Sequence, residues 1–126
     1  MFLNAVAVFL GGDFGAMFRF LISETFPLNK FGMPLTIILV NFIGCFLMGL
    51  ADGVFEKFAE HARHKYFLTA GLLGGFTTFS TFSLEFANLI KSGRLASGFL
   101  YVFVSVAAAL IGFWLGYALS RAVKTY

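Results

Sequence analysis

The groups best suited to ion chemistry are concentrated in one apolar stretch, residues 71–83, with the sequence GLLGGFTTFSTFS. Its hydroxyl side chains are those of Thr77, Thr78, Ser80, Thr81 and Ser83. The Gly74-Gly75 pair weakens a helix and frees carbonyls that can coordinate a cation, while the helix N-terminus that follows can face an anion. Phe79 and Phe82 lie on neighbouring positions of one helical face and alternate with hydroxyls, which is unusual for core phenylalanines. The stretch therefore predicts an ion site inside an apolar segment.

A second polar group in an apolar stretch is the amide of Asn41, which shares a helical face with Gly44 and Cys45. An amide in such surroundings needs a hydrogen-bond partner. Two interpretations stay open for Asn41. It joins helices to one another, or it lines a pore and offers its NH2 group to an anion.

The first apolar stretch carries Asp13 and Arg19 together with a GxxxG step at Gly11 and Gly15. The glycine step predicts close helix packing. Arg19 either extends its charge to the membrane interface or places it at the mouth of an anion path. Asp13 is an interfacial residue, a partner for arginine or a proton site, and the residue types do not decide among these.

The last apolar stretch has Tyr101 and Ser105 on one face, four residues apart. A tyrosine near the end of a span is typical of the aromatic belt at a membrane interface. Ser105, Ala109, Gly112 and Gly116 form a stripe of small residues, which predicts helix packing.

These residues need membrane-spanning helices to position them, and the composition predicts such helices. Of 126 residues, 60% are hydrophobic and 12% are charged, whereas soluble domains have about half apolar and a quarter charged residues. The composition excludes an ordinary soluble enzyme and a disordered chain. Because Lys and Arg are scattered, it also excludes nucleic acid as a partner. Cys45 is the only cysteine, so no internal disulfide forms.

Four stretches are long enough to cross a bilayer as helices, at about residues 2–22, 33–55, 66–90 and 98–122. The connections, residues 23–32, 56–65 and 91–97, are too short for another domain, so residues 1–126 are expected to form a single channel-like membrane domain. The predicted fold class is all-α, a polytopic integral membrane protein with four transmembrane helices. Asp13 and Arg19 argue against a cleaved signal peptide in the first stretch.

The sequence contains no recognisable catalytic motif, so we expect that the protein is not an enzyme. No strand is predicted, hence no phosphate-binding loop after a strand, and no Ser–His–acid set assembles within the spans. His61 and His64 are three residues apart in a charged connection, where a solvated loop is a better interpretation than a metal site.

The distribution of Lys and Arg over the two sides of the membrane is nearly balanced, at five against four. One side holds Lys57, Arg63, Lys65, Arg121 and Lys124, and the other holds Arg19, Lys30, Lys91 and Arg94. Such a balance fits a weakly biased protein with one orientation, and it also fits dual topology, in which copies insert both ways. Four short helices enclose too small a space for an aqueous path, which favours an oligomer.

Three motifs together resemble the Fluc family of fluoride channels, also called CrcB proteins. They are GGxxGAxxR at residues 11–19, VNxxG at residues 40–44 and GGFTTFSTF at residues 74–82. The resemblance follows all four spans in order, and the third motif is specific because nine consecutive residues agree.

The resemblance implies a passive fluoride channel that exports cytoplasmic fluoride across a bacterial inner (plasma) membrane. It implies an antiparallel, dual-topology homodimer with two pores and a third helix that is broken mid-membrane. It also implies a structural sodium ion at the dimer centre, held by the backbone carbonyls of Gly74 and Thr77.

The same resemblance assigns residues to the ion pathway: Asn41, Phe79, Phe82, Ser80, Thr81, Tyr101, Ser105 and Arg19. The chain departs from the family at Thr36 and Ile37, where a Gly-Thr pair is common, and at Ala109, where some members have serine. These departures bear on the length of the polar track along the pore. Glu85 follows the hydroxyls, without an assigned role.

The chemistry is consistent with this implication, because fluoride holds its water tightly and a pore must replace that water with donors. Hydroxyls, an amide and the positive edges of phenylalanine rings interact with an anion without trapping it. Two alternatives remain at this point. One is a small proton-coupled multidrug antiporter that uses Asp13, and the other is a non-transporting subunit in which the polar residues only join helices.

Overall fold

The computed structural model of the chain describes residues 1–58 and 62–123. Its helices are α1 (Phe2–Thr25), α2 (Thr36–Phe55), α3 (Ala62–Tyr66), α4 (Gly74–Phe76), α5 (Ser80–Lys91) and α6 (Leu95–Ala122), with a π-helical segment at Phe67–Leu73. Over this described part, four helical stretches are long and apolar enough to cross a membrane: Phe2–Thr25, Thr36–Phe55, Arg63–Lys91 and Leu95–Ala122. The predictions of an all-α fold and of four spans are confirmed.

The absence of strands was predicted wrongly, because a short hairpin joins α1 to α2. Its strands, β1 (Asn29–Lys30) and β2 (Met33–Pro34), pair antiparallel. The turn between them holds Phe31 and Gly32 at positive φ, 56° and 71°, as tight hairpin turns require. Strands of two residues are too short to produce a recognisable alternation of polar and apolar residues.

Thr36 ties this connection to the start of α2. Its Oγ1 accepts a hydrogen bond from the backbone N–H of Leu28 at 2.7 Å and donates one to the carbonyl of Phe26 at 2.9 Å. The side chain is buried. Thr36 is one of the positions at which the chain departs from the family pattern. Its hydroxyl is used to hold the end of α1 near α2.

The third membrane stretch contains several kinds of helix in succession. The helix runs through α3, the π-helical segment and α4, residues 77–79 lie outside any helix, and α5 begins at Ser80. Thr77 has the extended conformation, with φ −79° and ψ 155°. Its Oγ1 donates to the carbonyl of Leu73 at 3.0 Å, which ties Thr77 to the preceding turn.

Small residues allow α1 to lie directly against the third stretch. A Cβ atom at Gly11 would overlap the carbonyl of Phe67, and one at Gly15 would overlap the carbonyl of Leu72. From the other side, a Cβ at Gly75 would meet the carbonyl of Gly12 at 2.5 Å. The packing role predicted for the first GxxxG step is confirmed.

The second GxxxG step has the same function between α2 and α6, which form the most extensive helix pair of the structure. A Cβ at Gly116 would overlap the carbonyl of Phe46, and one at Gly112 would meet the carbonyl of Phe42 at 3.0 Å. At the far end of the pair, the ammonium of Lys57 donates to the carbonyl of Ser120 at 2.8 Å. Asn41 on α2 and Ser105 on α6 are therefore presented by a closely packed pair.

We expect Gly15→Ala to destabilise the protein strongly, because the added Cβ would overlap the backbone of Leu72 and Phe76. Overpacking of this kind costs about 1–3 kcal/mol or more. The matched control is Gly12→Ala, whose Cβ would lie 3.9 Å from the nearest atom, the Gly71 carbonyl oxygen. Alanine's helix propensity would make this control neutral or slightly stabilising. Melting temperatures of the two variants in detergent test the packing, and equal values would contradict it.

The connection predicted for residues 56–65 is partly helical, because α3 begins at Ala62 and contains His64. His61 and Lys124, which entered the loop and charge-balance predictions, lie outside the described residues. The loop was thus predicted wrongly for His64, which lies in a helix, whereas its predicted exposure to solvent is confirmed; the interpretation stays a prediction for His61.

Candidate functional site

The side chain of Asn41 spans the non-helical residues between α4 and α5. Its Nδ2 donates to the carbonyl of Thr78 at 3.0 Å, and its Oδ1 accepts from the Thr78 N–H at 2.8 Å. Asn41 thus replaces two hydrogen bonds that an uninterrupted helix would have supplied to Thr78. The second N–H of the Asn41 amide takes no part in these two hydrogen bonds.

A cluster of hydroxyls surrounds Thr78 at the start of α5. Thr78 Oγ1 lies 3.2 Å from Ser80 Oγ, donates to Thr81 Oγ1 at 3.3 Å and accepts from the Thr81 N–H at 3.2 Å. The bond from the Thr81 N–H satisfies one of the unpaired donors at the helix N-terminus. The side chains of Ser80 and Thr81 thus both lie within hydrogen-bonding distance of the Thr78 hydroxyl, and their place in the ion pathway stays a prediction.

The interruption also leaves carbonyls without their usual helical donors. The Thr78 N–H, which would bond the Gly74 carbonyl in a continuous helix, is bonded to Asn41. The Thr81 N–H, which would bond the Thr77 carbonyl, is bonded to the Thr78 hydroxyl. Two carbonyl oxygens close to each other in sequence are thus relieved of helical hydrogen bonding.

Arg19 contributes a positive charge to the same region. Its Nε donates to the carbonyl of Gly75 at 3.3 Å, so the guanidinium of α1 reaches the end of α4. The charge lies against backbone of the third stretch instead of only extending toward the membrane interface. Asp13, in contrast, is exposed on the surface of α1.

The aromatic rings form a row from the protein surface to the core. The centroids of Phe79 and Phe82 are 5.2 Å apart with the rings tilted by 41°, and Phe82 stacks on Tyr101 at 5.4 Å. Phe79 is 77% exposed, whereas Phe82 is 8% and Tyr101 0% exposed. The Phe79 ring therefore faces outward, and the Phe82 ring behind it is held by Tyr101.

Tyr101 also donates a hydrogen bond to the Glu85 carboxyl at 2.5 Å. Because Tyr101 is fully buried, its interpretation as an interface-belt residue was wrong. The sequence left Glu85 without a role, and the structure makes it the partner of Tyr101 across α5 and α6.

An open groove of about 190 Å³ brings four of the predicted pathway residues together: Asn41, Phe79, Phe82 and Ser105. Val106, Ala109 and Leu110 complete its apolar wall. The buried Ser105 hydroxyl lies beside the Tyr101 hydroxyl and has no other hydrogen-bond partner among the described residues. The groove thus combines ring edges, an amide and a hydroxyl in an apolar wall, a set that suits a weakly held anion.

One residue with a distinctive position was absent from the sequence predictions. Ser23, near the end of α1, has a buried hydroxyl that also lacks a partner among the described residues. A single serine two residues from the end of a helix gives no signal in the sequence, because its burial beside the hairpin and α5 is a tertiary feature.

Comparison with known proteins identifies relatives over nearly the whole chain. Residues 6–117 match the family described as "CrcB-like protein, Camphor Resistance (CrcB)". The chain is 40% identical over 125 residues to a protein of Ruminiclostridium cellulolyticum named fluoride-specific ion channel FluC, covering 98% of this chain and 96% of the relative. A protein of the same name from Pectobacterium atrosepticum is 37% identical over 130 residues, covering 100% of each chain. FluC 2 of Nocardia farcinica is 41% identical over 117 residues, covering 92% and 84%.

Proposed function

This chain belongs to the CrcB-like protein family, and from that premise we propose that it is a fluoride-specific ion channel that passively exports cytoplasmic fluoride. The observation that carries the proposal is the groove in which Asn41, Phe79, Phe82 and Ser105 converge. It offers donors and ring edges in an apolar wall. No reaction chemistry is required of the protein, which acts as a channel and not as an enzyme.

Selective passage follows from the kinds of groups in this groove. Fluoride must exchange strongly bound water for other donors, and the Ser105 hydroxyl and the remaining Asn41 N–H supply them. The positive edges of Phe79 and Phe82 add weak attraction. A lysine or arginine in the groove would hold the ion, whereas several weak donors in succession allow it to leave again. Ser80, Thr81, Tyr101 and Arg19 extend the proposed pathway on either side.

We propose further that two copies assemble as an antiparallel, dual-topology homodimer with two pores. Two features support this proposal. A single chain leaves the groove open along one side, and Phe79 is 77% exposed beside it, so a second chain would complete the wall. The nearly balanced Lys and Arg distribution supports insertion in both orientations. In this assembly residues 1–126 form one membrane domain of a bacterial inner membrane, and residues 77–79 lie at mid-membrane depth.

Topology reporters fused to the C-terminus test the dual orientation. We expect reporters on both sides of the membrane, because neither side has enough excess positive charge to determine the orientation. Adding two lysines to the connection between α2 and α3 should shift the population to one orientation and lower fluoride flux, since antiparallel partners become scarce. The same lysines added in pairs to both sides serve as the control. Reporters on a single side in the unmodified protein would contradict the proposal.

We also propose that a structural sodium ion binds where the carbonyls of Gly74 and Thr77 lack helical donors. Two features of the chain fit such an ion. Carbonyl oxygens are suitable ligands for an alkali cation, and the Thr78 and Thr81 N–H groups that would compete for them are bonded elsewhere. When bound, sodium would supply a fixed positive charge near the path and link the two broken helices of the dimer.

Sodium depletion tests this site. We expect exchange of sodium for N-methyl-D-glucamine during purification to reduce the dimer fraction in size-exclusion chromatography and to lower flux. Gly74→Leu should reproduce this effect, although in one chain a Cβ there would meet only the Thr69 carbonyl, at 3.4 Å. Thr77→Ser should be mild, because its carbonyl and its hydroxyl are kept. A fully active dimer after exhaustive depletion would exclude a structural sodium ion.

Fluoride efflux from liposomes containing the purified protein tests the function as a whole. The proposal predicts a current of fluoride that exceeds chloride and does not depend on a proton gradient. Proton-coupled exchange of organic cations that is lost in Asp13→Asn would instead indicate the antiporter, which the names of the relatives do not favour. No transport at all would indicate a non-transporting subunit.

A further inference from the structure

The turn of the hairpin between α1 and α2 carries a bulky residue in a conformation that suits glycine. Phe31 has φ 56°, and among the described residues it is the only one other than glycine with a positive φ. Two-residue hairpin loops usually place asparagine, aspartate or glycine here, because a Cβ atom is crowded in this conformation. A backbone outlier of this kind at a bulky residue points to a role of the side chain itself.

That role is not the packing of the hairpin against its own chain. The Phe31 side chain is 78% exposed, whereas Met33 is 4% exposed and belongs to the core cluster that includes Leu89. On the other side of Phe31 in the turn, the carbonyl of Gly32 accepts a hydrogen bond from the Arg94 guanidinium at 3.3 Å. The neighbours of Phe31 therefore hold the hairpin in place, and its ring faces away from the chain.

The lengths of the neighbouring helices place the hairpin at the membrane interface. The 24 residues of α1 and the 20 residues of α2 span about 36 and 30 Å, close to the thickness of the hydrocarbon core. The ends that the hairpin joins, at Thr25 and Thr36, therefore lie near the lipid headgroups. Because Met33 packs in one cluster with Leu89 in the last turn of α5, the hairpin lies beside the helices instead of extending into water. An exposed ring at this level meets the boundary between headgroups and acyl chains.

Lys30 adds a positive charge beside this ring. Its Nζ lies 5.8 Å from the centroid of the Phe31 ring, and the residue is exposed. A lysine at the end of a membrane span lays its alkyl stem along apolar surface and directs its ammonium group to lipid phosphates. Phe26 and Leu28, which are 63% and 47% exposed, extend the apolar surface of the same connection. An apolar ring with an adjacent cation is the combination that binds best at a lipid interface.

We propose that Lys30 and Phe31, the hairpin tip, form an anchor in the lipid interface. The Phe31 ring inserts among the acyl chains just below the headgroups, and the Lys30 ammonium binds the phosphate of an anionic lipid. The anchor fixes the depth at which the ends of α1 and α2 lie in the bilayer. This inference requires only that the four helices cross a membrane, so it is independent of the ion that the protein conducts.

Fluorescence quenching in lipid vesicles tests the position of the ring. Trp114→Phe removes the only native tryptophan, and Phe31→Trp in that background places a single probe at the hairpin tip. Both positions are exposed, at 63% and 78%, so both substitutions should keep the fold. In vesicles of phosphatidylcholine and phosphatidylglycerol, bromine atoms high in the acyl chains should quench the probe about twofold, and more than bromine atoms near the chain ends. Acrylamide, a quencher dissolved in water, should have little effect.

Every other quenching pattern would overturn the inference. Strong quenching by acrylamide without an effect of bromine would place the ring in water. Protection from both quenchers would place it against a second copy of the chain. Stronger quenching by bromine near the chain ends would place it in the bilayer interior, below the reach of a lysine that binds headgroups.

The choice between two lipids tests the role of Lys30. In vesicles with equal parts of the two lipids, brominated phosphatidylglycerol should quench the Phe31→Trp probe about twice as strongly as brominated phosphatidylcholine, because the ammonium attracts an anionic headgroup. Lys30→Gln should abolish this preference. The matched control is Lys91→Gln, which removes the same charge from an exposed residue at the end of α5, on the same side of the membrane, and should keep the preference. Equal quenching by the two lipids when Lys30 is present, or an equal loss of preference in both variants, would overturn the inference.

Discussion

Replacement of Phe82 by isoleucine is expected to remove most of the fluoride efflux while the dimer stays folded. Isoleucine keeps an apolar side chain in the groove but lacks the positive ring edge that attracts an anion. Loss of 1.4 kcal/mol of stabilisation along the path corresponds to a tenfold lower rate, and we expect at least this reduction. The measurement is fluoride efflux from liposomes, with size-exclusion chromatography to verify the dimer.

The two phenylalanines should differ in how far packing contributes to the result. Phe82 is 8% exposed and stacks on Tyr101 at 5.4 Å, so Phe82→Ile also costs about 1–3 kcal/mol of stability through misfit. Phe79 is 77% exposed within one chain, so Phe79→Ile loses little packing inside that chain, and the packing it loses is with the proposed dimer partner. Phe103→Ile, at a position 72% exposed, is the control that should conduct normally. Normal efflux in folded Phe79→Ile and Phe82→Ile proteins would remove both rings from the pathway.

Asn41→Asp is expected to block fluoride passage even more completely. The aspartate keeps the shape and still accepts from the Thr78 N–H, but it cannot donate to the Thr78 carbonyl, which Asn41 Nδ2 bonds at 3.0 Å. It also places a negative charge in the groove lined by Phe79, Phe82 and Ser105. At about 5 Å and an effective dielectric constant of about 20, repulsion of an anion is about 3 kcal/mol, or about a hundredfold in rate.

The comparison for this variant is Asn4→Asp, the same substitution near the start of α1, where an acidic residue suits the helix dipole. It should leave efflux unchanged. Asn41→Ser, which keeps a small donor, should recover part of the lost flux if donation to the ion or to Thr78 is what matters. Fluoride efflux at the unmodified rate in a folded Asn41→Asp dimer would show that Asn41 does not face the path.

The number of spans, the helical class and the family follow from local properties of the chain. Apolar runs of membrane-crossing length predict helices regardless of what they contact, because unpaired backbone groups in lipid leave few other structures. The small residues of the two GxxxG steps predicted close packing, and it is observed at Gly15 and Gly116. The motif at residues 74–82 led to the family by resemblance, and the match of residues 6–117 to the family confirms it.

The partners of the polar groups depended on the tertiary structure. Asn41 and Thr78 are 37 residues apart, and Tyr101 and Glu85 are 16 apart, so no local spacing predicts either hydrogen bond. For this reason the residue pattern alone left Asn41 between two interpretations and wrongly favoured an interface belt for Tyr101, while the pathway assignment that both residues received from the family resemblance stays a prediction.

The same reason explains the elements and the residue that the sequence did not reveal. The hairpin has two residues in each strand, too few for a pattern, and its geometry rests on positive φ at Phe31 and Gly32. Ser23 was missed because the burial of its hydroxyl, beside the hairpin and α5, is a property of the tertiary structure. The sequence by itself determined which segments enter the membrane and which family they form. Only the packing of α1, α2, α5 and α6 decided which polar groups find a partner among the described residues, since hydrogen bonding across helices is a property of their arrangement in space.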